Sequence, residues 1–324
     1  MPSIKNYLSL VKFSHTIFAM PFAIIGFFLG IFDFSYNLEM TKLPYRPYSG
    51  IPKLKISPIS ALANYHIITF VLVLLCMITA RSAAMAFNRY LDRQFDAKNP
   101  RTAIREIPAG IISEKNALFF TILMCVLFVT CTYFINSICF YLSPVALFVI
   151  LFYSYTKRFT FLCHLVLGVG LSLAPIGAYL AVTGTFAILP VLFSIAVICW
   201  VSGFDIIFAL QDEAFDKENN LYSIPAVMGK AKALNISSFL HFLSAAAIIF
   251  AGFYGYFSWF YWLGTAVFCG MLIYQHAIVK PTDLSRVNIA FMTANGIASV
   301  VFAVFVLLDL ILLNKATWAL NFLF

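Results

Sequence analysis

Apolar residues in this chain arrive in long unbroken runs separated by short polar stretches. The runs cover 15–32, 66–87, 116–135, 138–156, 163–183, 187–210, 234–256, 259–279 and 291–313. Each is close to the roughly 20 residues that a helix needs to cross a bilayer's hydrocarbon core. Their length and continuity predict helices rather than barrel strands. The first run follows Lys5 and Lys12 but has no small-residue cleavage site and leads into no soluble domain. It is therefore expected to be a retained helix, not a signal peptide. Residues 33–63 break the pattern with Pro44, Pro47, Pro52 and Pro58 and no helical period, which predicts an irregular loop. The expected architecture is an all-α, polytopic membrane protein of nine transmembrane helices. Residues 1–324 are expected to form one domain, with 33–63 as an external loop insertion.

Composition agrees with the pattern. Of 324 residues, 62% are hydrophobic and 10% charged, and the mean hydropathy is +0.94. A soluble domain carries about 25% charged residues. The net charge of +8 does not point to nucleic acid, because the basic residues sit in short loops between apolar runs, where orientation explains them. Lys5 and Lys12 precede the first run. Arg89, Arg93, Lys98, Arg101, Arg105 and Lys115 follow the second, Lys157 and Arg158 the fourth, Lys217, Lys230 and Lys232 the sixth, and Lys280 and Arg286 the eighth. The loops after runs 3, 5 and 7 carry neither Lys nor Arg. The positive-inside rule then predicts a cytoplasmic N-terminus and an external C-terminus. Residues 33–63 dissent, with Lys42, Arg46, Lys53 and Lys55 on the external side. The cysteines (Cys76, Cys125, Cys131, Cys139, Cys163, Cys199, Cys269) are scattered singly. They suggest buried apolar residues, with neither a disulfide framework nor a thiolate metal site.

Two charged stretches stand out from this apolar background. The first is NRYLDRQFDAKNPRTAIREIPAG, Asn88 to Gly110, in which Asn88, Asp92 and Asp96 recur at i, i+4, i+8. On a helix they form one stripe about 12 Å long. The second is DIIFALQDEAFDKENN, in which Asp212 and Asp216 are i, i+4 and Asp205 lies two turns earlier. Both follow even-numbered runs, so both are expected on the cytoplasmic side. Carboxylates lined up on one face repel unless a positive charge lies between them. Hard oxygen ligands suit Mg²⁺, which takes one or two carboxylates and fills its other positions with water and phosphate. Arg89, Arg93, Arg101, Arg105 and Lys217 interleave with the acids. That mixture suits a diphosphate better than a cation channel.

A third element ends the fourth run. In FYSYTKRF, Tyr153 and Lys157 are i, i+4 and Arg158 is adjacent. They are either ordinary positive-inside anchors or donors to phosphate oxygens, and the acidic stripes favour the second. Asp205 lies inside its run, where a bare charge costs about 2.5–3.5 kcal/mol and calls for a partner. Arg81, seven residues before Asn88, either binds an anionic substrate group or pairs with an internal Asp. His15, His164 and His276 near run ends are read as structural.

These motifs resemble the UbiA superfamily of intramembrane prenyltransferases over nearly the whole chain except 33–63. The family's N-D-x-x-D-x-x-x-D is matched by Asn88, Asp92 and Asp96. Its D-x-x-x-D is matched by Asp212 and Asp216, and the wider form adds Asp205 and Gln211. Its Y-x-x-x-K is matched by Tyr153 and Lys157. Arg89 departs from the pattern, standing where many members have an acid. The resemblance implies nine helices bundled around a central cavity in a bacterial-type inner (plasma) membrane, with the active site facing the cytoplasm. It implies Mg²⁺ on Asp92, Asp96, Asp212 and Asp216, and Asn88 and Gln211 orienting ligands or waters. Lys157, Tyr153, Arg158 and Arg105 would neutralise the departing diphosphate, and Asp205 or Asp212 would take a phenolic proton. The wording of the first motif and of SHTIFAMPFA is similar to the 4-hydroxybenzoate polyprenyltransferase branch, some members of which resemble futalosine-pathway menaquinone enzymes. The implied substrates are a polyprenyl diphosphate and a hydroxy-aromatic acid, with no nucleic acid and no obligate protein partner. Acceptors that stay open are 1,4-dihydroxy-6-naphthoate, haem and glycerol phosphate. A cation-coupled transporter is the alternative from another class, but it would place its acids at mid-membrane on broken helices.

Overall fold

The computed structural model describes residues 3–11, 18–40 and 58–313. Its helices are α1 (Ile4–Leu10), α2 (Met20–Met40), α3 (Pro58–Ala61), α4 (Ile67–Lys98), α5 (Glu114–Ile135), α6 (Ser137–Thr156) and α7 (Cys163–Thr183). They continue with α8 (Ile188–Ala209), α9 (Glu213–Glu218), α10 (Ile224–Met228), α11 (Lys230–Tyr254), α12 (Trp259–Ile278) and α13 (Asn295–Leu308). A 3-10 turn, Leu210–Asp212, joins α8 to α9, and a π turn, Ile289–Ala294, leads into α13. No sheet forms among the described residues. Seven helical segments among them are long and apolar enough to cross a bilayer. The other two predicted runs correspond to α12 and to α2, whose apolar part, Met20–Ser35, is shorter.

The helices close on themselves. α2 packs on α7, α7 on α8, α8 on α11, α11 on α12, α12 on α13, and α13 returns to α2. α4, α5 and α6 pack on one another and, through α4 and α6, on α7. α8 is apolar on nearly every face, so it sits at the centre, as such helices do. Trp200, Phe193, Phe204 and Val197 of α8 join Phe22, Phe268 and Phe302 in the main core. A polar knot threads this core. The Trp200 indole and the Gln275 amide both donate to Asn295 Oδ1, each at 2.8 Å, while Asn295 Nδ2 donates to the Phe291 carbonyl at 3.0 Å. That bond engages a carbonyl of the π turn that precedes α13. At the other end of α12, buried Asp309 accepts from the backbone N–H groups of Ser258 (2.9 Å) and Tyr261 (3.2 Å). It thus caps that helix's N-terminus across the bundle.

Two predicted boundaries are corrected. The second apolar run ends at residue 87, but α4 continues to Lys98, because its polar extension finds charge partners instead of fraying. The predicted 33–63 loop is helical at both ends, since residues 33–40 extend α2 and Pro58 opens α3. Pro at the first position of a helix loses no hydrogen bond. The rest of that stretch, with Pro44, Pro47, Pro52 and its four cations, lies outside the described residues, as do Lys12 and His15. A 3-10 turn, Leu210–Asp212, interrupts the helix between Asp205 and Asp212, yet both residues line the same cavity.

Candidate active site

One cavity of about 880 Å³ gathers most of the predicted residues. Arg81, Asn88, Asp92 and Asp96 reach it from α4, Tyr153 and Lys157 from the end of α6, and Arg105 from the loop after α4. Asp205, Asp212 and Asp216 reach it from the α8–α9 segment. The first motif keeps its helical stripe, and Asn88 Nδ2 donates to Asp92 Oδ2 at 3.3 Å. The two acidic stretches meet at one end of the cavity. Arg101 donates through Nε to Asp212 Oδ1 at 3.0 Å and through Nη2 to Oδ2, and Asn99 Nδ2 adds a bond to Oδ1 at 3.2 Å. Away from this polar end the lining turns apolar, through Met77, Phe128, Ile135, Val149 and Leu180.

Each carboxylate of the first motif has its own cation. Arg158 Nη2 donates to Asp92 Oδ1 at 2.8 Å, with Lys157 Nζ 3.9 Å from Oδ2. Arg105 Nη1 donates to both oxygens of Asp96, at 2.8 and 2.9 Å. Arg158 is not part of the cavity wall; it braces Asp92 from behind, donating also to the Leu91 carbonyl at 3.1 Å. Gln211 is a correction. Its amide turns back to the Phe208 carbonyl at 3.3 Å and does not line the cavity, because the 3-10 turn rotates it away from the acids.

Two further predicted roles resolve. Arg81 lines the cavity without a hydrogen bond or ion pair among the described residues, and its Nε is buried without a partner there. The alternative that it pairs with an internal Asp is set aside. Arg89, the departure from the family pattern, forms a buried ion pair with Glu106, which also accepts from the Ser9 hydroxyl of α1. Arg89 therefore anchors the loop that carries Arg101 and Arg105.

Sequence reasoning missed two participants. Asn99 was legible only as a loop residue, and neither it nor the interleaving cation Arg101 could be matched to Asp212, which lies 113 and 111 positions away. His164 was read as structural, yet it lines the cavity and its Nδ1 lies 2.6 Å from Asp205 Oδ2. His276 keeps a structural role, with Nε2 2.9 Å from His241 Nδ1.

The donor set fits Mg²⁺. Among the described residues no three carboxylate, imidazole or thiol groups converge into a ready-made cage. Mg²⁺ does not need one, since one or two carboxylates with water and phosphate oxygens satisfy it. Two carboxylate pairs at one cavity end, with Arg101, Arg105 and Lys157 among them, are hard-oxygen chemistry suited to a cation and an anion bound together.

Fold and cavity together define a multi-pass helical membrane protein whose cavity is charged at one end and apolar beyond. Residues 58–297 match the model of the UbiA prenyltransferase family, and the chain belongs to that family. It is 28% identical over 231 residues to a 4-hydroxybenzoate octaprenyltransferase of Francisella tularensis subsp. mediasiatica, covering 71% of this chain and 81% of that one. Its fold is like that of a UbiA homolog from Aeropyrum pernix, with a TM-score of 0.70, 24% identity, and coverage of 92% and 97% of the two chains. A UbiA homolog from Archaeoglobus fulgidus bound to DMAPP and Mg²⁺ gives a TM-score of 0.65 at 19% identity, covering 95% of this chain and all of that one (100%). The protein is a membrane prenyltransferase.

Proposed function

We propose that this enzyme transfers a polyprenyl group from a polyprenyl diphosphate to a hydroxy-aromatic acid of the 4-hydroxybenzoate kind, in ubiquinone or menaquinone biosynthesis. The carrying observation is the cavity itself, with four Asp and interleaved cations at one end and an apolar lining beyond. The relatives' names and the Mg²⁺-bound fold neighbour support the same reading. Asp92, Asp96, Asp212 and Asp216 would hold Mg²⁺. Bound there, it would neutralise the diphosphate and ease its departure.

The chain's own groups do the rest. Lys157, Tyr153, Arg105 and Arg101 donate to diphosphate oxygens as the carbon–oxygen bond breaks. Asn88 keeps Asp92 oriented. Aromatic faces along the cavity, such as Phe95 and Phe208, lie where an allylic cation would be attracted to them. Arg81 binds the carboxylate of the acceptor, which favours acids over an uncharged phenol. Asp205 accepts the proton that the ring gives up. The apolar length of the cavity receives the prenyl tail, the physical reason for placing this chemistry in a bilayer.

The basic loops support nine spans in a single domain of residues 1–324, in a bacterial inner membrane, with a cytoplasmic N-terminus and active site. The test is transfer of a radiolabelled prenyl group by purified protein to a panel of hydroxy-aromatic acids. Product should form with Mg²⁺ and vanish in excess EDTA. Full activity in EDTA overturns the metal–diphosphate reading.

A further inference from the structure

Asp205 is a carboxylate of the cavity whose ion-pair-distance partner is a histidine. Unlike Asp92, Asp96 and Asp212, it has no Lys or Arg within ion-pair distance among the described residues. Its partner is His164, whose Nδ1 lies 2.6 Å from Oδ2. The other ring nitrogen decides what that contact is. Nε2 receives the backbone N–H of Ile224 at 3.3 Å. An amide N–H can only donate, so Nε2 carries a lone pair and the ring's proton sits on Nδ1. His164 therefore donates from Nδ1 to Asp205.

The fixture is built from several elements. The His164 side chain is 3% exposed. Its carbonyl accepts from Ser202 Oγ of α8 at 3.1 Å, which ties the two helices together beside the pair. Ile224 begins α10, and the segment before it is pinned to the end of α6 by the Tyr222 N–H on the Lys157 carbonyl at 2.7 Å. The ionisable groups that act on the pair are Tyr153 of α6, Cys163 beside His164, and Asp216 of α9; Arg81 of α4 lies beyond Tyr153. Asp205 itself keeps 24% of its side chain open to the cavity.

We infer that His164 is a positioning residue that presents Asp205, with one oxygen free, as the proton acceptor of the transfer. The inference rests on the reaction proposed above. In that reaction the carbon–oxygen bond of the prenyl diphosphate breaks and diphosphate leaves with the electron pair. A ring carbon of the acceptor bonds to the prenyl carbon. The proton on that ring carbon passes to Asp205, restoring aromaticity, and Asp205 later releases it to water. Holding Oδ2 on the imidazole N–H fixes the orientation of the carboxylate and leaves its other oxygen to the cavity. A Gln at 164 can imitate both bonds, donating from its amide nitrogen and accepting at its carbonyl oxygen.

The experiment has two arms on the full-length protein in lipid nanodiscs. The first is a mutant cycle on the rate of prenyl transfer. His164→Leu should lower kcat about ten- to a hundredfold, the scale of one hydrogen bond to a charged group, with KM for the prenyl diphosphate unchanged. His164→Gln should recover most of the loss. In an Asp205→Asn background, His164→Leu should cost nothing further, because its effect runs through Asp205. Equal losses in both backgrounds overturn the inference, as does a fully active Asp205→Asn. The second arm needs no turnover. Nitrogen-15 spectra of histidine-labelled protein, assigned with His164→Gln, should show His164 protonated at Nδ1 and bare at Nε2. A proton on Nε2 overturns the inference. Absence of any transfer by the unsubstituted protein, with the expected tautomer present, counts against the proposed reaction and leaves the His164–Asp205 arrangement standing.

Discussion

Arg101 spans the mouth of the cavity to hold both carboxylate oxygens of Asp212, although the two residues are 111 positions apart. One comes from the loop after α4 and the other from the turn after α8, so this pair joins the two acidic stretches. The pair is also partly open, with side chains 35% and 20% exposed. Exposed pairs contribute about 0–1 kcal/mol. Its worth is therefore in placing charge, not in holding the fold.

Arg101→Ala is accordingly expected to leave the melting temperature in detergent nearly unchanged. KM for the prenyl diphosphate should rise about tenfold, since one cation that can move onto the diphosphate is gone. Asp212→Asn should cost far more, about a hundredfold or beyond in kcat, if that carboxylate serves the metal. Steady-state kinetics beside thermal unfolding separate the two effects.

The Arg89–Glu106 pair makes the opposite prediction. Its side chains are 4% and 10% exposed. Breaking a buried pair from one side costs about 3–5 kcal/mol, because the remaining charge is stranded. Glu106→Gln or Arg89→Met should each lower the melting temperature clearly. The double substitution Arg89→Met, Glu106→Leu should lower it less than either alone. A loss that simply adds would show that the two residues do not act as a pair.

Arg81 separates binding from stability in a third way. Its Nε already lies buried without a partner among the described residues, so its charge is a cost to the fold. Arg81→Met should keep or raise the melting temperature while raising KM for the acceptor about tenfold or more, read by initial rates against acceptor concentration. Destabilisation with unchanged KM would assign Arg81 to the scaffold.

A close approach between two helices gives a test of the fold itself. A Cβ built on Gly26 of α2 would collide with the Pro175 backbone of α7, its carbonyl oxygen first. The atoms it meets are all main chain, so neither helix can yield by turning a side chain. Gly26→Ala should separate α2 from α7 and lower the melting temperature, while Gly177→Ala, with nothing within 4 Å of its Cβ, should not.

Much of this protein is written locally. The apolar runs give the helices because crossing hydrocarbon demands about 20 satisfied backbone residues in a row. Asn88, Asp92 and Asp96 share a face because helical spacing is a property of neighbours, and the structure keeps that face. The same reasoning failed at Gln211, where a 3-10 turn of three residues shifts the phase and no composition signal marks it.

What the tertiary structure alone decided is who partners whom. His164 looks like any apolar-run histidine until α7 and α8 bring it to Asp205 and α10 caps its second nitrogen. Arg89 looks like a substrate-site anomaly until the loop folds back and hands it Glu106. Arg101 finds Asp212 only when the ends of α4 and α8 meet. Charges in a low-dielectric interior must be matched, and the matching is made across space between residues far apart in sequence. The chain's order therefore determines which charges are present and on which faces they lie, while the fold determines which of them are balanced and which, like Arg81, line the cavity without an ion pair among the described residues.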